Sequence, residues 1–128
     1  MSLRSPLGRV LGAGSAKGGS SHWVSQRLTA VALVLLGLWF VASLAGLDGA
    51  SYEAVTAWLR RTSTTVPMLL LVAVAAWHAV LGLQVILEDY LPSPGLRTVA
   101  LVAVKFAYAV AALGAVVAVL RIGFGVAA

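Results

Sequence analysis

The chain has 128 residues, of which 61% are hydrophobic and only 10% are charged. Soluble domains carry about 25% charged residues, so this composition excludes an ordinary soluble protein and predicts one membrane domain. The absence of cysteine excludes disulfides, thiolate metal sites, iron–sulfur clusters and covalently attached c-type haem within the chain. The net charge of +5 is spread along the ends of the segments and is not gathered in one patch. This pattern indicates charges that set the orientation in the membrane and attract lipid head groups, and not a nucleic-acid-binding surface.

The first predicted elements are a tail and a membrane span. Residues 1–21 are rich in Gly and Ser and are predicted to form a flexible cytoplasmic tail. Residues 22–128 are predicted to form one three-helix membrane anchor domain. Its first span covers about residues 28–47, close to the roughly 20 apolar residues that cross a bilayer. Trp23 and Arg27 precede this span, where we expect an interfacial aromatic side chain and a snorkelling cation.

A short amphipathic helix is predicted between the first and second spans, over residues 51–61. Tyr52 and Trp58 share its apolar face with two aliphatic residues. Ser51 is a typical N-cap, and Glu53 falls in the first turn, where a negative charge suits the helix dipole. We expect this helix to lie in the membrane interface as a connector.

Two further spans follow, joined by a tight turn. The second is predicted over about residues 67–91 and opens at Pro67, because proline is tolerated in the first turn of a helix. The run Pro-Ser-Pro-Gly at residues 92–95 predicts the turn. The third span covers about residues 98–120, with Lys105 inside it by about two turns and able to reach back to the surface. The predicted fold class is therefore all-α, an integral membrane protein with three transmembrane helices.

The distribution of basic residues predicts the orientation in the membrane. Cytoplasmic loops are enriched in Lys and Arg, and three spans place the two termini on opposite sides. The side with the tail and the second loop has five basic residues, and the other side has three. The five are Arg4, Arg9, Lys17, Arg27 and Arg97, and the three are Arg60, Arg61 and Arg121. This bias favours a cytoplasmic N-terminus, so the loop after the second span also faces the cytoplasm.

The second span contains one histidine, His78, and an ionisable residue at membrane depth is by default a candidate for a functional site. His78 lies roughly 16 Å from Pro67 along the helix, close to the bilayer midplane. Tyr90 lies about 18 Å further on, at the interface. The face of His78 also carries small residues and an acid, namely Ala75, Gly82 and Asp89. A flat, bulky group could approach this face, and a neutral imidazole in a dry site is a good axial ligand for haem iron.

These residues also have simpler interpretations, which the sequence leaves open. His78 could form a hydrogen bond to a neighbouring helix as readily as it could bind a cofactor. His22 is too near the surface to pair with it, so the other ligand of a bis-histidine haem would come from a partner subunit. Tyr90 could be an interfacial anchor, and Asp89 could be a solvated loop charge or a helix cap. Arg27 could serve only to set the orientation of the chain in the membrane.

Two other classes of function are also open at this point. A small transporter or proton relay could use His78, but the first span has no acidic residue and the third has only Lys105, so a continuous polar path is difficult to draw. In a purely structural membrane protein, His78 would be a packing residue. We interpret Gln84 and Lys105 as helix-packing or snorkelling residues.

The arrangement of these residues resembles a known family. The second span contains the pattern H-x10-D-Y, formed by His78, Asp89 and Tyr90, and the first opens with Gln-Arg-Leu-Thr-Ala around Arg27. This pattern resembles the hydrophobic membrane anchor subunit of succinate dehydrogenase, respiratory complex II. The resemblance covers roughly residues 22–121, which is nearly the whole chain except the tail.

The resemblance implies a non-catalytic subunit with two cofactor contacts, not an enzyme on its own. In the family, the histidine that matches His78 is an axial ligand of a b-type haem, whose other ligand comes from a partner cytochrome b subunit. The tyrosine that matches Tyr90 hydrogen-bonds the ubiquinone head group, and the aspartate that matches Asp89 supports that site. The arginine that matches Arg27 lies near the haem propionates.

The resemblance also implies partners and a location. Succinate is oxidised on a flavoprotein subunit, and electrons pass through an iron–sulfur subunit to quinone, while the anchor docks both subunits on the membrane. A bacterial inner membrane is the expected location, in preference to a mitochondrial one. No nucleic-acid partner is expected. An anchor for fumarate reductase is the alternative within the same family.

Overall fold

A computed structural model describes residues 19–125. These residues form four α-helices, which are α1 (Gly19–Ala45), α2 (Tyr52–Leu59), α3 (Thr62–Tyr90) and α4 (Pro94–Gly123). Three of them, α1, α3 and α4, are long and apolar enough to cross a membrane. The predicted fold class, all-α with three spans and a short helix between the first and second, is confirmed.

The three long helices form a layer in which α3 is central. Both α1 and α4 pack against α3, and within residues 19–125 no Cα atom of α1 approaches one of α4 within 8 Å. Most large apolar side chains are consequently exposed on the surface of the layer. Such surfaces are expected of helices that meet lipid or partner helices in place of water.

The short helix α2 packs against the end of the layer opposite the α3–α4 turn. Ser51 accepts a hydrogen bond from the backbone N–H of the residue three positions later, at 3.1 Å, which confirms its predicted role as N-cap. Trp58 is only 7% exposed and packs against Trp39 and Phe40 of α1, with ring centroids 6.2 Å apart in both pairs. Tyr52 is exposed, so the predicted apolar face of α2 is packed at Trp58 and open at its start.

A second contact region joins α2, α3 and α4 at the same end. Thr65 of α3 donates a hydrogen bond from Oγ1 to the carbonyl oxygen of Leu59 in α2 at 2.7 Å. Gly123 of α4 lies directly against Thr65, since a Cβ built at Gly123 would stand 3.2–3.3 Å from the nearest Thr65 side-chain atoms. Glycine at this position therefore permits a close approach of α4 to α3.

The α3–α4 turn is braced by one arginine. Arg97 donates from Nε and Nη2 to the carbonyl oxygen of Leu91, at 3.2 and 2.8 Å. Leu91 is the C-cap of α3, so these bonds satisfy a carbonyl near a helix end that would otherwise lack a partner. The brace fixes the last turn of α3 relative to the start of α4.

The two helix starts next to proline differ from the prediction. α3 begins at Thr62, so Pro67 lies inside the helix and the prediction that it opens the span is wrong. Proline removes the N–H that would bond the carbonyl of Ser63, but Ser63 is exposed near the helix start, where other donors can reach that carbonyl. The proline at the first helical position is Pro94, which begins α4 four residues before the predicted start.

The helix bounds also change the surroundings of several predicted residues. Residues 1–18 of the predicted tail lie outside the described residues, and residues 19–21 belong to α1. Trp23 and Arg27, which were predicted to precede the first span, lie within α1. Because α4 begins at Pro94, Lys105 is about 16 Å inside the helix, or three turns in place of two.

Candidate functional site

His78 lies near the middle of α3. It is 16 residues after Thr62 and 12 residues before Tyr90, which corresponds to about 24 Å and 18 Å along the helix axis. The position is within about 3 Å of the helix midpoint. The side chain is half-buried.

The imidazole of His78 faces α1, where it contacts two polar side chains. Its Nδ1 lies 2.8 Å from Oγ1 of Thr29, and its Nε2 lies 3.4 Å from the amide nitrogen of Gln26. Gly82 lies one turn further along α3, and a Cβ built on it would stand 3.7 Å from the same amide nitrogen of Gln26. The predicted face of small residues around His78 therefore packs partly against polar side chains of α1 and is not fully open.

A polar stripe on α1 supplies these contacts. His22, Gln26 and Thr29 follow one another at i, i+4 and i+7, so they share one face of the helix. His22 lies about 10 Å from Thr29 along the axis, and therefore well away from the level of His78. The stripe was not predicted, although polar residues at helical spacing in an apolar span are a signal that the sequence contains. Gln26 and Thr29 were noted only as part of a motif, and His22 was left without a role.

Two atoms of the polar stripe are buried without a partner. Nε2 of His22 and Oε1 of Gln26 have no hydrogen-bond partner among residues 19–125. Buried polar atoms are almost always paired in folded proteins, because an unpaired one loses its hydration without replacement. Any partner of these two atoms would therefore come from outside residues 19–125.

This arrangement fits the supply of one axial ligand to a haem iron. A ligating imidazole uses one nitrogen as the ligand, and its other nitrogen usually donates a hydrogen bond to a fixed acceptor. Nδ1 of His78 has such an acceptor in Thr29, whereas Nε2 has only the longer contact to a flexible amide. Within residues 19–125, no cluster of three or more His, Cys, Asp or Glu side chains forms a metal site of another kind. The described residues can therefore supply one ligand to a haem iron, which is His78.

Asp89 and Tyr90 form a separate location at the end of α3. Both side chains are exposed, Tyr90 to 80%, and the neighbouring Leu91 carbonyl is held by Arg97. Their distance from His78, about 18 Å for Tyr90, separates this location from the middle of the span. An exposed phenol and carboxylate on a braced helix end can bind a polar head group that arrives at the membrane edge.

Arg27 does not join the contacts around His78. Its guanidinium lies over the ring of Trp23, with Cζ 5.4 Å from the ring centroid, which is a cation–π contact within α1. Both residues are exposed, and Arg27 lies about 100° around the helix from Gln26. Arg27 is therefore available to a group outside the layer, while Gln26 points into the α1–α3 interface.

A groove of about 450 Å³ runs between α3 and α4. It is lined mainly by alanine and aliphatic side chains, together with Trp77, Gln84, Lys105 and Tyr108. The amide nitrogen of Gln84 donates a hydrogen bond to Oε1 of Glu88 at 2.8 Å, so it has a partner within α3. Gln84 and Lys105 therefore flank an apolar groove between packed helices, and His78 does not line it.

Comparison with known proteins gives a consistent result. The family model described as succinate dehydrogenase/fumarate reductase transmembrane subunit matches residues 1–119. The chain is 36% identical over 103 residues to the succinate dehydrogenase hydrophobic membrane anchor subunit of Rickettsia bellii, covering 80% of this chain and 82% of that protein. It is also 32% identical over 114 residues to the protein of the same name from Paracoccus denitrificans, covering 89% and 88% of the two chains.

Proposed function

This chain belongs to the transmembrane subunit family of succinate dehydrogenase and fumarate reductase, and we propose that it docks the flavoprotein and iron–sulfur subunits of a succinate:quinone oxidoreductase on the membrane. It is a membrane anchor subunit and carries no catalytic residue of its own. Succinate is oxidised on the flavoprotein subunit, and the anchor serves the last electron transfer, to ubiquinone. The complex lies in a bacterial inner membrane, with the N-terminus of this chain in the cytoplasm.

Within this complex, His78 would hold the iron of a b-type haem together with a ligand from a partner cytochrome b subunit. The observation that carries this assignment is a half-buried imidazole at the middle of a span, with Nδ1 held by Thr29 and Nε2 only loosely engaged. The buried, unpaired Oε1 of Gln26 lies on the side chain whose amide nitrogen contacts His78, so a polar group of a bound partner could pair with it there. When bound, the haem supplies a one-electron carrier near the middle of the membrane.

The exposed end of α3 contributes to the quinone site. The Tyr90 hydroxyl donates a hydrogen bond to a carbonyl oxygen of the ubiquinone head group, and Asp89 provides a neighbouring acceptor. Arg27, whose side chain is exposed on α1, would pair with the propionates of the haem. Support comes from the exposure of all three side chains and from the Arg97 brace, which holds the last turn of α3 in place.

The quinone assignment is tested by Tyr90→Phe in the assembled complex. One neutral hydrogen bond contributes about 1 kcal/mol, so we expect kcat/KM for ubiquinone reduction by succinate to fall roughly fivefold. Succinate oxidation with an artificial acceptor at the flavoprotein should be unchanged. Tyr52→Phe is a matched control, because Tyr52 is also 80% exposed but precedes α3, at the opposite end of the layer.

The two tyrosine variants give a clear decision. Loss of ubiquinone reduction in Tyr90→Phe alone supports a direct contact with the head group. Equal and normal ubiquinone kinetics in both variants would show that Tyr90 is an interfacial anchor without a role in the quinone site.

A further inference from the structure

We propose that Thr29 is the positioning residue for His78: it holds the ring hydrogen on Nδ1 and so presents Nε2 to the iron. The inference rests on the proposed haem function and adds a residue on a different helix to that site. It follows from three features of the α1–α3 interface, which are the two contact distances, the placement of hydrogens and the rigidity of the threonine.

The distances determine which nitrogen can serve as the ligand. Nδ1 of His78 is only 2.8 Å from Oγ1 of Thr29, a full hydrogen bond to an atom close to the helix backbone. Nε2 is 3.4 Å from the amide nitrogen of Gln26, a long contact with the end of a flexible side chain. Displacing the Gln26 amide needs only a rotamer change of Gln26, whereas freeing Nδ1 would break the short hydrogen bond between His78 and Thr29. Nε2 is therefore the ligand atom.

The placement of hydrogens then follows without a free choice. Iron on Nε2 needs the lone pair of that nitrogen, so the single ring hydrogen of the neutral imidazole must lie on Nδ1. Nδ1–H donates to a lone pair of Thr29 Oγ1. The hydroxyl hydrogen of Thr29 is then directed to the carbonyl oxygen of Ser25, at 2.8 Å, with that of Gln26 at 3.1 Å. Nδ1–H of His78 and the hydroxyl of Thr29 each have an acceptor in this arrangement.

Thr29 is well suited to fix the ring in one orientation. A β-branched side chain in a helix has few allowed χ1 rotamers, and the hydroxyl of Thr29 is further held by the carbonyl oxygens of α1. The acceptor of Nδ1–H is thus tied to backbone on one helix while the ligand lies on another. The hydrogen bond also raises the basicity of the imidazole, which stabilises ferric haem relative to ferrous haem.

The test compares Thr29→Val and Thr29→Ser in the purified, haem-containing complex. Valine keeps the shape of threonine but removes the hydroxyl, and serine restores it. We expect the haem midpoint potential to shift to more positive values in Thr29→Val, with changed g-values of the ferric haem in electron paramagnetic resonance. A tenfold loss of the preference for ferric over ferrous iron corresponds to about 59 mV for one electron. Thr29→Ser should restore both the potential and the g-values.

Two failures can be distinguished. If His78→Ala keeps its haem with an unchanged spectrum, the proposed haem function fails and this inference with it. If His78→Ala loses the native haem spectrum while Thr29→Val keeps the wild-type potential and g-values, only the positioning role of Thr29 is overturned. Thr29→Ala removes the same hydroxyl without placing a methyl group against the imidazole, and it decides the question by the same two measurements if the valine variant does not assemble.

Discussion

Trp58 provides the most direct test of how the layer is held together at the α2 end. The side chain is 7% exposed and lies against Trp39 and Phe40, with ring centroids 6.2 Å from each. Truncation of a buried tryptophan to alanine costs about 3–5 kcal/mol in soluble proteins, and each aromatic pair contributes about 0.5–1.5 kcal/mol beyond burial. Because part of this surface would meet lipid and not water in the unfolded reference, we expect the lower end, about 3 kcal/mol, for Trp58→Ala.

The assay is unfolding of the purified chain in mixed micelles by titration with SDS, followed by near-ultraviolet circular dichroism, which reports aromatic packing. Tyr52→Ala on the same helix is the matched control, since an 80% exposed side chain should change the unfolding free energy by no more than about 0.5 kcal/mol. Trp58→Ala should unfold at a distinctly lower SDS fraction and lose most of the near-ultraviolet signal. Coincident titrations of the two variants would refute the conclusion that Trp58 anchors α2 to α1.

Two further outcomes follow from the packing and the topology. Gly123→Ala should destabilise the chain relative to Gly114→Ala, because a Cβ at Gly123 would meet Thr65 at 3.2–3.3 Å whereas a Cβ at Gly114 meets nothing within 4 Å. The same SDS titration measures the stability of both variants. Equal stabilities would contradict the close approach of α4 to α3 at Gly123. Since the chain has no cysteine, single variants Ser93→Cys and Asp48→Cys can be labelled with an impermeant maleimide. We expect labelling of Ser93→Cys only from the cytoplasmic side and of Asp48→Cys only from the other side, and the reverse pattern would invert the proposed orientation.

The number and type of helices could be predicted from the sequence because the bilayer imposes a strong and simple constraint. Long apolar runs must form helices there, and the N-cap at Ser51 follows from local chemistry alone. Helix starts were harder to predict. The preference of proline for the first helical position holds at Pro94 and fails at Pro67, because nothing local indicates whether the preceding Thr and Ser residues at 62–65 continue a helix.

The position of His78 along its helix was predictable from the sequence, but its contacts were not. His78 was identified because a histidine in an apolar span is unusual, and helical rise alone placed it near the middle of the span. The contact with Thr29 depends on the register between α1 and α3, which are 49 residues apart in sequence at this point. Helical spacing could show that His22, Gln26 and Thr29 share a face. It could not show which helix that face meets.

The proposed function depends most on His78 as a haem ligand in an assembled membrane complex. The most direct measurement is the reduced-minus-oxidised spectrum, with haem content, of complexes carrying His78→Ala or His22→Ala. His22 is the other histidine of the chain and lies about 10 Å nearer to the start of α1 than the level of His78. We expect the b-type absorption to be lost or shifted in His78→Ala and retained in His22→Ala. A His78→Ala complex with full haem content and an unchanged spectrum would contradict it.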